Sequence, residues 1–130
     1  MIDLWYTNSD RKTMNFVNGL GTLLKPIMDD IIFSPKFVTV ACEKCTFSYK
    51  QYECLSDGKY CAPDHADHDE SNRGQVHGRE VLLENIYQFE LSAVSQYHKR
   101  FNFFKYMRFI NDLCGTRITK HCHDRGFADI

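Results

Sequence analysis

The 130-residue sequence has no run approaching the roughly 20 apolar residues that a helix needs to cross a bilayer, so no membrane span is expected within it. It also has no excess of either charge. Its 16 Lys and Arg oppose 17 Asp and Glu, for a formal net charge of −1 with neutral histidines. Such a surface offers no field that gathers nucleic acid or an anionic membrane, and neither partner is expected. The opening "MIDLWYTNSD" lacks the basic start and apolar run of a secretory leader. No N-x-[ST] sequon occurs, so glycosylation says nothing about compartment. Internal repeats and low-complexity tracts are absent, which excludes a solenoid. There is no G-x-S-x-G, no P-loop and no Gly-rich turn joining a strand to a helix. The usual marks of serine hydrolases and nucleotide-binding enzymes are therefore missing.

What remains is an ordinary globular composition, 43% hydrophobic and 25% charged, in a chain long enough for one modest core. Ten Phe and seven Tyr supply core volume in few residues. Six cysteines, at 42, 45, 54, 61, 114 and 122, are more than a reducing compartment usually leaves without a purpose.

A first strand is expected at "MIDLWY", buried on both faces with Trp5 in the core. "TNSD" follows as turn and cap, where Ser9 or Asp10 accepts from the first free N–H groups of a helix. That helix carries Met14, Val17, Leu20 and Leu24 on one face. Pro26 breaks or restarts it, and "IMDDIIF" adds a last turn before Pro35. "KFVTVAC" gives the clearest strand signal, so strand–helix–strand order predicts a βαβ unit with a parallel pair.

Residues 43–78 read as a polar, Cys-rich insertion, and residues 79–114 as a two-helix subdomain. In the first of those helices Leu82, Ile86, Phe89, Ala93 and Tyr97 form the expected core-facing stripe. In the second, Phe103, Met107 and Ile110 share one side, with Phe101, Phe104 and Arg108 on another. Lys99, Arg100, Lys105 and Arg108 are expected on the outer sides. His121 and His123 flank Cys122 in a terminal cluster expected to be exposed.

The cysteines admit three chemistries. "CEKC", Cys42 to Cys45, has the spacing of a redox dithiol, but that chemistry needs its first cysteine at a helix N-terminus, where the dipole stabilises thiolate. Here the motif follows the second strand and enters the insertion, while the helix after the first strand begins "SDRKTMNF" without a cysteine. Zinc needs a second ligand pair, and Cys54 and Cys61 stand too far apart for a knuckle, while His65 and His68 stand too close for the usual His pair. A mixed site of Cys42, Cys45 and a histidine stays open. "DHADHDE" fails as an EF-hand loop, since counting from Asp67 puts Asn72 where Gly belongs and Gly78 where Glu belongs. The carboxylates Asp57, Asp64 and Asp67 sit on no common rigid element.

Disulfides need fewer coincidences. Cys54 and Cys61 enclose "LSDGKY", whose Asp57-Gly58 turn brings the flanks together. Cys114 and Cys122 can close "GTRITKH" on a similar scale, leaving Cys42 and Cys45 to pair with each other or with cysteines outside this chain.

"LWYTNS", "CLSDGKYCAPD", "GREVLLENIYQ" and "FFKYMRFINDLC…TKHC" occur together, in that order, and span nearly the whole chain. In these pieces the sequence resembles the luminal thioredoxin-like segment of the vacuolar sorting receptors. The resemblance implies an α/β fold: a partial thioredoxin-like βαβ unit with a Cys-rich loop insertion and a helical subdomain. It also implies a non-enzymatic part of a type I membrane receptor, in the lumen of the Golgi, trans-Golgi network and prevacuolar compartment. Such receptors bind soluble vacuolar cargo proteins and release them where it is more acidic. A protease-associated domain precedes this segment, and EGF-like repeats and a membrane span follow it. Calcium is expected only in those repeats, so this segment is expected to hold no cofactor, metal or catalytic residue and to meet the membrane only through the receptor's span.

The sequence departs from the family in having "SDRKTMNF" where extra cysteines follow the first strand, and in Cys45, which matches no family position. Cys54, Cys61 and Cys114 align with the family, and Cys42 and Cys122 less closely. "RGFADI" ends the chain before the strands and last helix that would complete the half-sheet, so the segment is expected to be incomplete. The alternatives are a DsbA-like thiol-disulfide oxidoreductase using Cys42 and Cys45, and a small zinc-binding module.

Overall fold

A computed structural model describes residues 1–7, 11–63, 77–97, 102–115 and 120–129. Strand β1 (Ile2–Tyr6) is followed by helix α1 (Arg11–Leu24), a 3-10 turn (Lys25–Asp30) and strand β2 (Phe33–Phe37). β1 and β2 are parallel, with Ile2 opposite Phe33 and Tyr6 opposite Phe37, so the expected βαβ unit is present. Its mixed α/β character follows from this unit and from the helices packed around it.

Two strand details differ from expectation. β2 lies earlier than "KFVTVAC" and contains Pro35, while Val38–Val40 run past its end. Proline has no N–H to donate to a ladder and suits a strand paired on one side, as β2 is among the described strands. Trp5 is 67% exposed, not in the core. Side chains alternate along a strand: Leu4 and Tyr6 face the helices, while Asp3 and Trp5 face away.

Met14, Val17 and Leu24 of α1 are buried as their spacing requires, and Leu20 packs on the same cluster. Met14 and Val17 meet Phe103, Phe104, Met107 and Ile110 of helix α4 (Asn102–Cys114) in the main core, together with Tyr6 and Phe33. The Phe33 ring lies 5.2 Å from that of Phe103 and 4.9 Å from that of Phe104. The cap expected at Ser9 or Asp10, the acidic run "DHADHDE", and Phe101, Lys99 and Arg100 lie outside the described residues. Lys105 and Arg108 are exposed, as expected.

Helix α3 (Gly78–Tyr97) reverses the expected orientation. Of the expected stripe only Leu82 is buried; Ile86, Phe89, Ala93 and Tyr97 are exposed, Phe89 by 51% and Tyr97 by 84%. The inward face carries Glu84, Asn85, Gln88, Leu91, Ser92 and Ser95 instead. Apolar residues occur on every side of α3, so periodicity alone selects no face. The polar residues select it by bonding one another beneath the helix, as described below.

The described part of the polar insertion, residues 43–63, holds regular structure. Helix α2 (Phe47–Glu53) crosses it, with Thr46 as its cap, the hydroxyl accepting from the Tyr49 N–H at 3.2 Å. A two-residue ladder follows, β3 (Cys54–Leu55) antiparallel to β4 (Tyr60–Cys61). A smaller core of Ala62, Val81 and Leu82, with Leu55 against it, joins this part to α3.

Candidate functional site

Two features concentrate the chemistry. The first is the cysteine platform. Cys54 and Cys61 face each other in the β3–β4 ladder with Cα atoms 4.1 Å apart, at disulfide distance and fully buried. Ser56, Asp57 and Gly58 all take positive φ in the turn between them. Gly58 is required there twice over: its φ is +87°, and a Cβ would stand 2.5 Å from the Cys42 carbonyl oxygen. The Cys42 N–H in turn donates to the Gly58 carbonyl at 2.8 Å. Cys61 also exchanges two backbone hydrogen bonds with Val40, so three segments of chain meet at this residue.

Cys42 and Cys45 stand at disulfide distance in the adjoining turn, Cα atoms 5.3 Å apart, and Cys114 and Cys122 form the third such pair, at 6.4 Å. All six cysteines are paired in this way. Beside the platform, Phe47, Lys50 and Gln51 of α2 and Arg79 of α3 line an open groove of about 320 Å³ over Cys54. Lys50 is held there by Asp57 at 3.4 Å. Asp57 itself is largely exposed, while Asp64 and Asp67 lie outside the described residues, as do His65 and His68. Among the described residues no three His, Cys, Asp or Glu side chains converge in a way that could hold a metal ion.

The second feature is a buried polar relay beneath α3. Glu84, 2% exposed, accepts at Oε1 from the Tyr106 hydroxyl at 2.7 Å and from Gln88 Nε2 at 2.9 Å. Gln88 Oε1 accepts from the Tyr6 hydroxyl of β1 at 2.8 Å. On the other side Tyr106 Oη meets His123 Nδ1 of helix α5 (Lys120–Asp129) at 2.9 Å. A phenol has one proton, and here it goes to Glu84, so His123 Nδ1 carries the hydrogen and donates to Tyr106. The second carboxylate oxygen, Glu84 Oε2, has no hydrogen-bond partner and stands 3.6 Å from His123 Nδ1.

The relay displaces its titrations. Burial pushes the Glu84 carboxyl up to about 7, against the opposing pull of the bonds from Tyr106 and Gln88. Burial drives the Tyr106 phenol far above its ordinary range, helped by the Glu84 charge, and raises Tyr6 for the same two reasons. His123 is lowered, chiefly by burial, with Asp124 pulling it up and Lys120 pushing it down. The sequence reading missed this site. His123 was expected to be exposed, yet its side chain is 12% accessible and its ring stacks on Tyr87 at 3.8 Å, whereas His121 is exposed. The available signal was Glu84 and Gln88, four apart and so on one face of an otherwise apolar helix.

A family model described as the vacuolar sorting receptor thioredoxin-like domain matches residues 3–130. No curated protein and no solved structure matches the chain.

Proposed function

The chain belongs to the vacuolar sorting receptor thioredoxin-like domain family, and from that membership we propose that it acts as a non-enzymatic luminal segment of a cargo receptor. The observation that carries this reading is the extent of the match, which takes in the βαβ unit, the cysteine platform and all of α3 to α5. The family suggests an endomembrane lumen, and an oxidising lumen is where three cysteine pairs at disulfide distance persist. None of the helices among the described residues is long and apolar enough to cross a membrane. In this reading the bilayer is met only through the receptor's own span. Within the reading, vacuolar cargo is bound by the full-length receptor, alongside protease-associated and EGF-like neighbours, in the Golgi, trans-Golgi and prevacuolar compartments. Calcium belongs to the EGF-like repeats, and no cofactor is assigned to this segment.

A rival reading has one observation behind it. Cys45 sits one residue before Thr46, the cap of α2, so a C-x-x-C does precede a helix. That helix has seven residues and no buried side chain, too short for its dipole to sustain a reactive thiolate of the thioredoxin kind. Insulin reduction with dithiothreitol separates the readings. The receptor reading predicts turnover equal to a protein-free control. Turnover that disappears in Cys42→Ser would establish the oxidoreductase. Imaging the tagged gene product tests compartment: co-localisation with trans-Golgi and prevacuolar markers is expected, and cytosolic signal overturns the luminal assignment.

A further inference from the structure

The relay beneath α3 leaves one polar atom without a partner. Glu84 Oε2 is buried, unpaired, and faces His123 Nδ1 across 3.6 Å. A carboxylate oxygen stranded in the interior costs several kcal/mol unless something neutralises it. One proton between Oε2 and Nδ1 would supply the missing bond, whichever of the two atoms holds it. The atoms belong to different helices: Glu84 to α3, and His123 to α5. α5 is fixed to α4 by the Cys114–Cys122 pair, while it touches α3 through the His123 ring, stacked on Tyr87.

We propose that Glu84 and His123 share a single titratable proton that latches α5 onto α3, making the docking of α5 sensitive to pH between neutral and mildly acidic conditions.

Groups facing the pair come from four elements. β1 contributes Tyr6, through Gln88. α3 contributes Gln88 and Tyr87, and α4 contributes Tyr106. α5 contributes Asp124 and Lys120, which satisfy each other at 2.6 Å on the surface, and His121, which is exposed. Both tyrosines that bond into the relay stay protonated, since their titrations lie above their ordinary range. Of the groups hydrogen-bonded into the relay, Glu84 and His123 are the ones that change charge in the window. At high pH the pair has no shared proton: His123 donates from Nδ1 to Tyr106, Tyr106 donates to Glu84, and Oε2 is orphaned. On acidification one proton enters. Either it sits on Oε2 while His123 moves its own hydrogen to Nε2 and accepts at Nδ1, or it makes His123 an imidazolium facing the Glu84 carboxylate.

The sign and size follow from linkage. Glu84 titrates at about 7 when α5 is docked, and release of α5 moves it toward the ordinary carboxyl value of 4.5, so its contribution to docking is absent at high pH and grows as pH falls through about 7. Between pH 8 and pH 6 that amounts to a gain in docking of up to about tenfold. His123 opposes it: its docked value is lowered, so release lets it take up a proton near 6.5, which gives back up to about fourfold over the same interval. At these limits the net effect is a gain of about two- to threefold.

Amide hydrogen exchange across Lys120–Asp129, corrected for the intrinsic pH dependence of exchange, reads this directly. The native protein should gain protection in α5 by up to about two- to threefold from pH 8 to pH 6. Glu84→Gln removes the favourable titration and keeps the unfavourable one, so its α5 protection should fall by up to about fourfold over the same range. Opposite slopes support the latch; parallel slopes overturn it. Should Glu84→Gln not fold, carbon-13 NMR titration of the unmodified protein decides. A shared proton requires the Glu84 carboxyl and the His123 ring to shift together around a common midpoint near neutrality. A Glu84 midpoint in the ordinary carboxylate range, or independent midpoints for the two residues, overturns the proposal.

Discussion

At the scale of single residues, one tight tolerance lies where α5 meets α4. A Cβ on Gly126 would stand 2.7 Å from Tyr106 Cε2 and 3.0 Å from Ile110 Cγ2, two fully buried side chains. Gly126→Ala must therefore push the Tyr106 ring or shift α5, a cost of about 1–3 kcal/mol. Urea denaturation should show a lower midpoint with an unchanged slope. Tyr6→Phe is subtler, because ring packing against Phe37 at 5.0 Å survives while the hydroxyl is lost. Gln88 Oε1 then loses its Tyr6 donor in a fully buried position, and the variant should lose about 1–2 kcal/mol in the same measurement. A variant as stable as the parent would mean that the Tyr6–Gln88 bond contributes nothing.

At the scale of elements, the orientation of α3 separates two accounts of the same sequence. If the stripe of Ile86, Phe89 and Tyr97 were the core face, Phe89→Ala would cost about 3–5 kcal/mol. With Phe89 half exposed on the outer side, the expected loss is under about 1 kcal/mol, measured by thermal or urea unfolding. The βαβ unit was legible in the sequence because it rests on short-range signals: the spacing of Met14, Val17 and Leu24, and the order of the elements around them. The Asp57-Gly58 turn was legible because positive φ restricts which residues can stand there. β2 was placed too late, because Val38–Val40 have the right composition yet add to the β1 ladder only the Val38 N–H, which donates to the Tyr6 carbonyl at 3.1 Å, while Val40 pairs with Cys61 of the insertion. The face of α3 was hidden for a different reason. Its inward side is chosen by Tyr6, Tyr106 and His123, residues 22 to 82 positions away from their partners Glu84 and Gln88 or linked through them, and no local period reports such contacts.

At the scale of the whole molecule, the three cysteine pairs are all local, with sequence separations of 3, 7 and 8. None joins the main core to the smaller cluster; α3 itself spans both, with Leu91 in the main core and Val81 and Leu82 in the smaller one, while Glu53 ties α2 to the start of α3 by accepting from the Gly78 N–H at 2.6 Å. Formed as a disulfide, each pair would brace the segment it closes. In the chain-entropy account, closing the Cys54–Cys61 loop contributes about 2.5 kcal/mol, which for a domain of this size is about 8–10 °C in Tm. Cys54→Ser should therefore melt lower by about that amount in calorimetry, whereas an unchanged Tm would show that the pair does not brace the fold. In the proposed receptor segment these sulfurs are covalent bracing in an oxidised domain and not working thiols. Peptide mapping of native protein, alkylated and digested without reductant, tests this most directly. It should return the linkages Cys42–Cys45, Cys54–Cys61 and Cys114–Cys122 with no alkylated cysteine; alkylated Cys42 or Cys45, or linkages that cross these pairs, would contradict it.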